Sequence, residues 1–161
     1  AIAGADYERY AGRNAAGQWP KALAKKGALC TSCSESGRCL DCETLCELCA
    51  DVCPNRANVA VAVGNRRQIL HVDALCNECG NCSAFCPYDS APYREKFTLF
   101  SSAADFEDSE NQGFLPLGAK RCRVRLSGEV METDLAAADT ALPEEIRSFI
   151  LAVLERYAFL K

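Results

Sequence analysis

Methionine, histidine and tryptophan each occur once in the 161 residues, as Met131, His71 and Trp19. No Ser/His/Asp constellation, phosphate-binding glycine loop or paired-carboxylate site can be read, which removes the usual signatures of hydrolytic and phosphoryl chemistry. No apolar run approaches the ~20 residues that cross a bilayer, and no charged n-region leads into an apolar h-region. Neither a membrane span nor export is therefore expected. Excess positive charge is lacking too. Lys and Arg number 18 against 22 Asp and Glu, a net charge of −4, whereas a nucleic-acid partner calls for a basic face. The expectation is a soluble cytoplasmic protein that binds no nucleic acid. An initiator methionine is also missing, and the opening "AIAGADYERYAGRNAAG" reads as the continuation of a longer polypeptide.

Cysteine, by contrast, is abundant. Twelve occur, eleven of them between Cys30 and Cys86, with Cys122 apart. Such density means either disulfides in a secreted scaffold or thiolates that hold metal in a reducing compartment. Spacing favours metal. "CNECGNCSAFCP" gives Cys76-x₂-Cys79-x₂-Cys82-x₃-Cys86-Pro87, the bacterial four-cysteine run. Three closely spaced thiolates wrap one face of a [4Fe–4S] cubane, and the fourth, beyond x₃ and before proline, points to the other cluster of a pair. Gly80 lets the backbone approach closely and offer N–H groups to sulfur.

An imperfect repeat precedes it. "CELCADVCPNRA" aligns with "CGNCSAFCPYDSA", and the run between them, "NVAVAVGNRRQILHVD", reads as a β-hairpin turning at "GNRR". The first motif, Cys42-x₃-Cys46-x₂-Cys49-x₃-Cys53-Pro54, is one residue longer than the standard. Exchange of fourth ligands predicts cluster I on Cys42, Cys46, Cys49 and Cys86, and cluster II on Cys53, Cys76, Cys79 and Cys82. Cys39 competes with Cys42 for the first corner of cluster I. The triplet Cys42-x₃-Cys46-x₂-Cys49 also has the spacing of radical enzymes. Those need an open iron and a large α/β barrel, but here Cys86 closes the iron and 161 residues hold no repeated strand–helix units.

Cys30, Cys33, Cys39 and Cys122 then remain as a candidate third site, for a further cluster or zinc, since C-x₂-C pairs are common zinc ligands. Loose thiols, a disulfide or, for Cys122, an ordinary buried strand position compete with that reading. Asp41, Glu43, Glu47, Asp51 and Glu78 flank the ligands, where negative charge aids solubility or lowers potentials. His71 falls on a predicted strand and is expected to pack or bond locally.

The expected fold is α+β: a two-[4Fe–4S] ferredoxin-like core with a small β extension and a C-terminal helix. Residues 1–29 form a connector, with a short helix in "WPKALAKKGAL" opening at Pro20. Residues 30–92 form the two-cluster domain, and 93–161 the β-rich extension and helix. "KFTLF" and "RCRVRLSGEVMET" read as strands, with Ser127-Gly128 a turn and the acidic stretch from Asp105 to Glu110 a surface loop. Pro143 opens a helix over 143–159 whose Ile146, Phe149, Ile150, Val153, Leu154 and Tyr157 share one stripe.

The stretch from Arg38 to Phe100, most specifically "CPNRANVA", "CNECGNC" and "FCPYDSAPY", resembles the C-terminal iron–sulfur region of the "putative selenate reductase" family. Those are large cytoplasmic oxidoreductase subunits related to the glutamate synthase small chain. Carried onto this sequence, the resemblance implies Cys42, Cys46, Cys49, Cys53, Cys76, Cys79, Cys82 and Cys86 as ligands. It further implies a flavin- and NADPH-binding region of the parent polypeptide as one partner and a separate reductase subunit as another. The chain alone is expected to carry electrons and to catalyse nothing. The alternative is a structural or interaction domain held together by clusters or zinc.

Overall fold

A computed structural model describes residues 46–86, 88, 90–137 and 141–160. The reading of "WPKALAKKGAL" as a helix, and Cys30, Cys33, Cys39 and Cys42, lie outside the described residues.

Six strands form one sheet in chain order: β1 (Asn58–Val63), β2 (Arg66–Val72), β3 (Thr98–Leu99), β4 (Gly113–Pro116), β5 (Arg121–Leu126) and β6 (Glu129–Asp134). Two hairpins flank a parallel centre. β1 and β2 are antiparallel, β2–β3 and β3–β4 are parallel, and β4–β5–β6 are antiparallel again. The predicted hairpin forms, but its turn is confined to Gly64 and Asn65; Arg66 and Arg67 already belong to β2. Gly64 takes φ +60°, a conformation natural for glycine in a tight hairpin turn. The second hairpin turns at Ser127-Gly128, as expected, with both residues at positive φ.

Five helices accompany the sheet among the described residues: α1 (Leu48–Asp51), α2 (Asn81–Ala84), α3 (Pro92–Glu95), α4 (Ala103–Asp108) and α5 (Glu144–Arg156). The last confirms the stripe read from the sequence, since Ile146, Phe149, Ile150, Val153 and Leu154 are all buried. They pack with Val61, Leu70, Val72, Phe114 and Val124 of the sheet in the largest core. Phe97 anchors it, its ring 5.7 Å from both Phe114 and Phe149. The hairpin strands thus bury their Val61/Leu70/Val72 face under α5. The hairpin of 30–92 and the strands of 93–161 share that one sheet.

The acidic stretch from Asp105 onward is not wholly a loop: its first residues lie in α4. Ser102 caps this helix, its hydroxyl accepting from Asp105 N–H at 3.1 Å. Phe106 turns inward against Phe100, rings 5.2 Å apart and edge to face. Arg125 lies over Phe106 at 4.2 Å and donates to the Phe106 carbonyl at 2.7 Å.

Candidate functional site

The two cysteine motifs fold alike, at an offset of 33 residues. In the first, the N–H groups of Ala50 and Asp51 donate to the Glu47 carbonyl at 2.9 and 3.0 Å, and Val52 donates to Leu48 at 3.0 Å. In the second, Ser83 and Ala84 donate to Gly80 at 3.1 and 2.9 Å, and Phe85 donates to Asn81 at 3.1 Å. α1 and α2 are the resulting single turns, each carrying its motif's middle cysteine, Cys49 or Cys82, as its second residue. The turns meet through Leu48 and Phe85, which form a small apolar cluster with Cys46, Val52 and Ala84 around them. Cys49 and Cys82 bury together with Ile69 of β2, and Ala60 of β1 packs beside them. Because side chains alternate along a strand, the hairpin serves two cores. One face meets α5 and the other seats the cysteine turns.

Cys53, from the first motif, lines the same narrow pocket as Cys76, Cys79 and Cys82 of the second. Asn58 and Gly80 also border it. Cys79 is exposed, so the pocket sits near the surface. The backbone bends to build it. Gly80 takes φ +78° and Glu78 φ +51°, and the Glu78 N–H reaches back to the Cys76 sulfur at 3.3 Å. Opposite, Arg56 at φ +56° brings the Ala57 N–H to 3.2 Å from the Cys53 sulfur. Among the described residues no three Cys, His, Asp or Glu side chains close to the spacing of a single metal ion.

Electrostatics make this pocket a poor place for bare thiolates. Burial pushes the Cys76 thiol pKa up, and the charges of Cys53, Glu78 and Cys79 raise it further, while the Glu78 N–H works the other way. Burial likewise raises Cys82, as do Cys53 and Cys76; the Tyr93 N–H and the Asn58 side chain donate to its sulfur and oppose the rise. Sulfurs that repel one another as anions, three of them (Cys53, Cys76 and Cys82) already supplied with donors, suit a bound cationic centre. The pocket offers four thiols, three from one loop and one from the other half, a set that could hold a cubane.

The remaining described ligands of the predicted cluster I are Cys46, half-buried, and Cys49 and Cys86, both buried. Their fourth partner, Cys42 or Cys39, is outside the described residues. Cys122 sits on β5, in the main core between sheet and α5. Of the flanking acids, Glu47 pairs with Arg67, and Glu78 lines a polar cleft beside Cys76 together with Asp73, Arg94 and Asp105. Asp73 is held above its ordinary pKa, first by burial and then by Asp105 and Glu78.

Sequence reasoning passed over Asn58, which carries no motif. It faces His71 across the hairpin, in register, and is 3 % exposed. The signal was available. Counting outward from a two-residue turn at Gly64-Asn65 pairs Val63 with Arg66 and hence Asn58 with His71.

No family model and no solved structure matches the chain. Among curated proteins it is 50% identical over 117 residues to "Putative oxidoreductase YgfK" of Escherichia coli strain K12, and equally to that of Escherichia coli O157:H7. The match covers 70% of this chain but only 11% of each relative. Identity at half the positions over that length makes this chain homologous to one segment of a protein named as an oxidoreductase.

Proposed function

We propose that the chain is an electron-transfer module of a larger oxidoreductase and carries two [4Fe–4S] clusters. The observation that carries this reading is the position of Cys53. It leaves its own motif to line a pocket with Cys76, Cys79 and Cys82, the exchange that a two-cluster arrangement requires. The matched turns at an offset of 33 residues support the second half of the pair, on Cys46, Cys49, Cys86 and Cys42 or Cys39. A single zinc would draw its sulfurs to about 2.3 Å of one point. Sulfurs spread around a pocket suit the separated corner irons of a cubane instead.

When bound, such a cluster accepts and returns one electron at a potential set by its thiolates, N–H···S bonds and burial. The chain's residues supply those bonds through Ala57, Glu78, Asn58 and Tyr93. The name of the relatives supports an oxidoreductase setting. We extend it to a cytoplasmic, selenate-reductase-type parent in which a flavin- and NADPH-binding region donates electrons and a separate reductase subunit receives them. Among the described residues no helix is long and apolar enough to cross a membrane.

The test is anaerobic purification of the chain with iron, inorganic sulfide and zinc counted on one sample. Iron and sulfide in the equal amounts of two full cubanes, with a visible charge-transfer band bleached by dithionite, are expected. A colourless protein with stoichiometric zinc would overturn the reading in favour of a structural domain.

A further inference from the structure

Asn58 is a polar side chain of the sheet that reaches toward both cysteine turns. Its Nδ2 donates to the Cys49 carbonyl in α1 at 3.2 Å, and its side chain lines the same pocket as Cys82 of α2, where it acts to lower that thiol's pKa as a donor would. Its Oδ1 lies 2.9 Å from Nδ1 of His71. The three contacts fix one another. The Cys49 carbonyl can only accept, so Nδ2 must face it, and Oδ1 must face the imidazole. Oδ1 can only accept as well, so His71 carries its proton on Nδ1. His71 is 1 % exposed, and burial keeps it neutral, its pKa lowered to about 4. A neutral ring with its proton on Nδ1 holds the amide with its N–H groups turned toward Cys49 and Cys82.

We infer that Asn58, oriented by His71, is a positioning residue that donates to the Cys82 sulfur and raises the reduction potential of the cluster held by Cys53, Cys76, Cys79 and Cys82. This rests on the two-cluster reading above. Reduction adds one electron and makes the cluster sulfurs better acceptors, so a donor fixed beside them favours the reduced form. The donor is buried, pre-aimed by cross-strand register, and needs no rearrangement when the electron arrives. Its grip on the Cys49 carbonyl also gives the first motif a direct link to the second cluster's ligand.

The test is an anaerobic redox titration of the cluster-loaded 161-residue chain, followed by EPR with iron counted on each sample. Asn58→Leu keeps a similar volume and removes the donor. At a fixed ambient potential its reduced-to-oxidised ratio for this cluster should fall about tenfold, which is about 59 mV for a one-electron couple. His71→Phe, which frees the amide to turn, should move the ratio in the same direction. His71→Gln, which restores a donor to Oδ1, should bring it back toward wild type. Unchanged ratios in Asn58→Leu with iron intact overturn the inference while leaving the two-cluster reading standing. Where Asn58→Leu fails to retain iron, the pair of His71 variants decides: equal ratios in Phe and Gln overturn the orienting role, and a difference supports it. A wild-type chain without iron and sulfide would instead overturn the underlying reading.

Discussion

The Tyr157 hydroxyl accepts a hydrogen bond of 3.0 Å from the N–H of Ala62, tying the end of α5 to a strand 95 residues earlier. β1 is an edge strand, and an unpaired N–H on an edge is a template for unwanted pairing. The contact also braces the hairpin from behind, on the side away from the cysteine turns. Tyr157→Phe keeps the ring and deletes the acceptor. We expect a loss of about 1 kcal/mol in urea unfolding, with faster amide exchange at Ala62. Unchanged exchange there would show that water replaces the hydroxyl without cost.

A second prediction concerns the parallel centre of the sheet. Gly113 pairs with Thr98, and a Cβ placed on it would come within 2.1 Å of the Thr98 carbonyl oxygen and 2.8 Å of its carbon. Backbone cannot yield as a flexible side chain can. Gly113→Ala should destabilise the fold by roughly 2–3 kcal/mol through overpacking, lowering the thermal midpoint. Gly118→Ala, where nothing lies within 4 Å, should melt like wild type. Equal midpoints for the two variants would refute the close approach.

Which parts were legible in the sequence follows from which forces act locally. The β1–β2 hairpin declares itself through alternating valines and a Gly-Asn turn, and α5 through a 3.6-residue apolar stripe beginning after Pro143. Two Cys-Pro repeats imply exchange between halves, and Cys53 lines one pocket with Cys76, Cys79 and Cys82. α4 was hidden, since its acidic residues outnumber its one buried anchor, Phe106, and its capping Ser102 stands alone as a signal. "KFTLF" announces a strand and β3 lies within it, but its place in the sheet comes from parallel pairing with distant partners, His71 with Thr98 and Leu99 with Phe114, while β4 pairs parallel with β3 and antiparallel with β5. No local pattern specifies such pairs. Asn58 was missed because its role comes from register and from contact with both turns, not from its neighbours in sequence.

Ligand exchange makes a crossed prediction. Cys86→Ser, in the second motif, should damage the cluster of the first motif more than its own. Cys53→Ser, in the first motif, should damage the cluster held by Cys76, Cys79 and Cys82. EPR of the two reduced clusters, with iron counted for each variant, reads the difference. Cys122→Ala is the control: a core cavity of one sulfur costs about 1 kcal/mol of stability and leaves iron unchanged. Loss of each variant's own-motif cluster, rather than the other, would refute the exchange, and loss of iron in Cys122→Ala would restore a third site.

His71 makes stability depend on pH in a direction that can be worked out. Its folded pKa of about 4 lies below the unfolded value of 6.5, because burial disfavours the cation. Between those values the unfolded chain binds the extra proton, so stability falls as pH falls. The loss begins near pH 6.5, reaches roughly 2 kcal/mol by pH 5 and levels off below pH 4 at roughly 3 kcal/mol. Asp73 opposes it. Its raised pKa, caused first by burial and then by Asp105 and Glu78, means that protonation favours the folded state as pH falls. His71→Gln removes the imidazole and leaves the carboxylates, Arg94 and the Asn58 partner in place. Urea midpoints for wild type and His71→Gln, measured from pH 8 to pH 4.5, should therefore diverge below pH 6.5, the wild type losing more. Parallel curves would mean that His71 keeps an ordinary pKa in the folded chain, and that the imidazole is wetter than its burial implies.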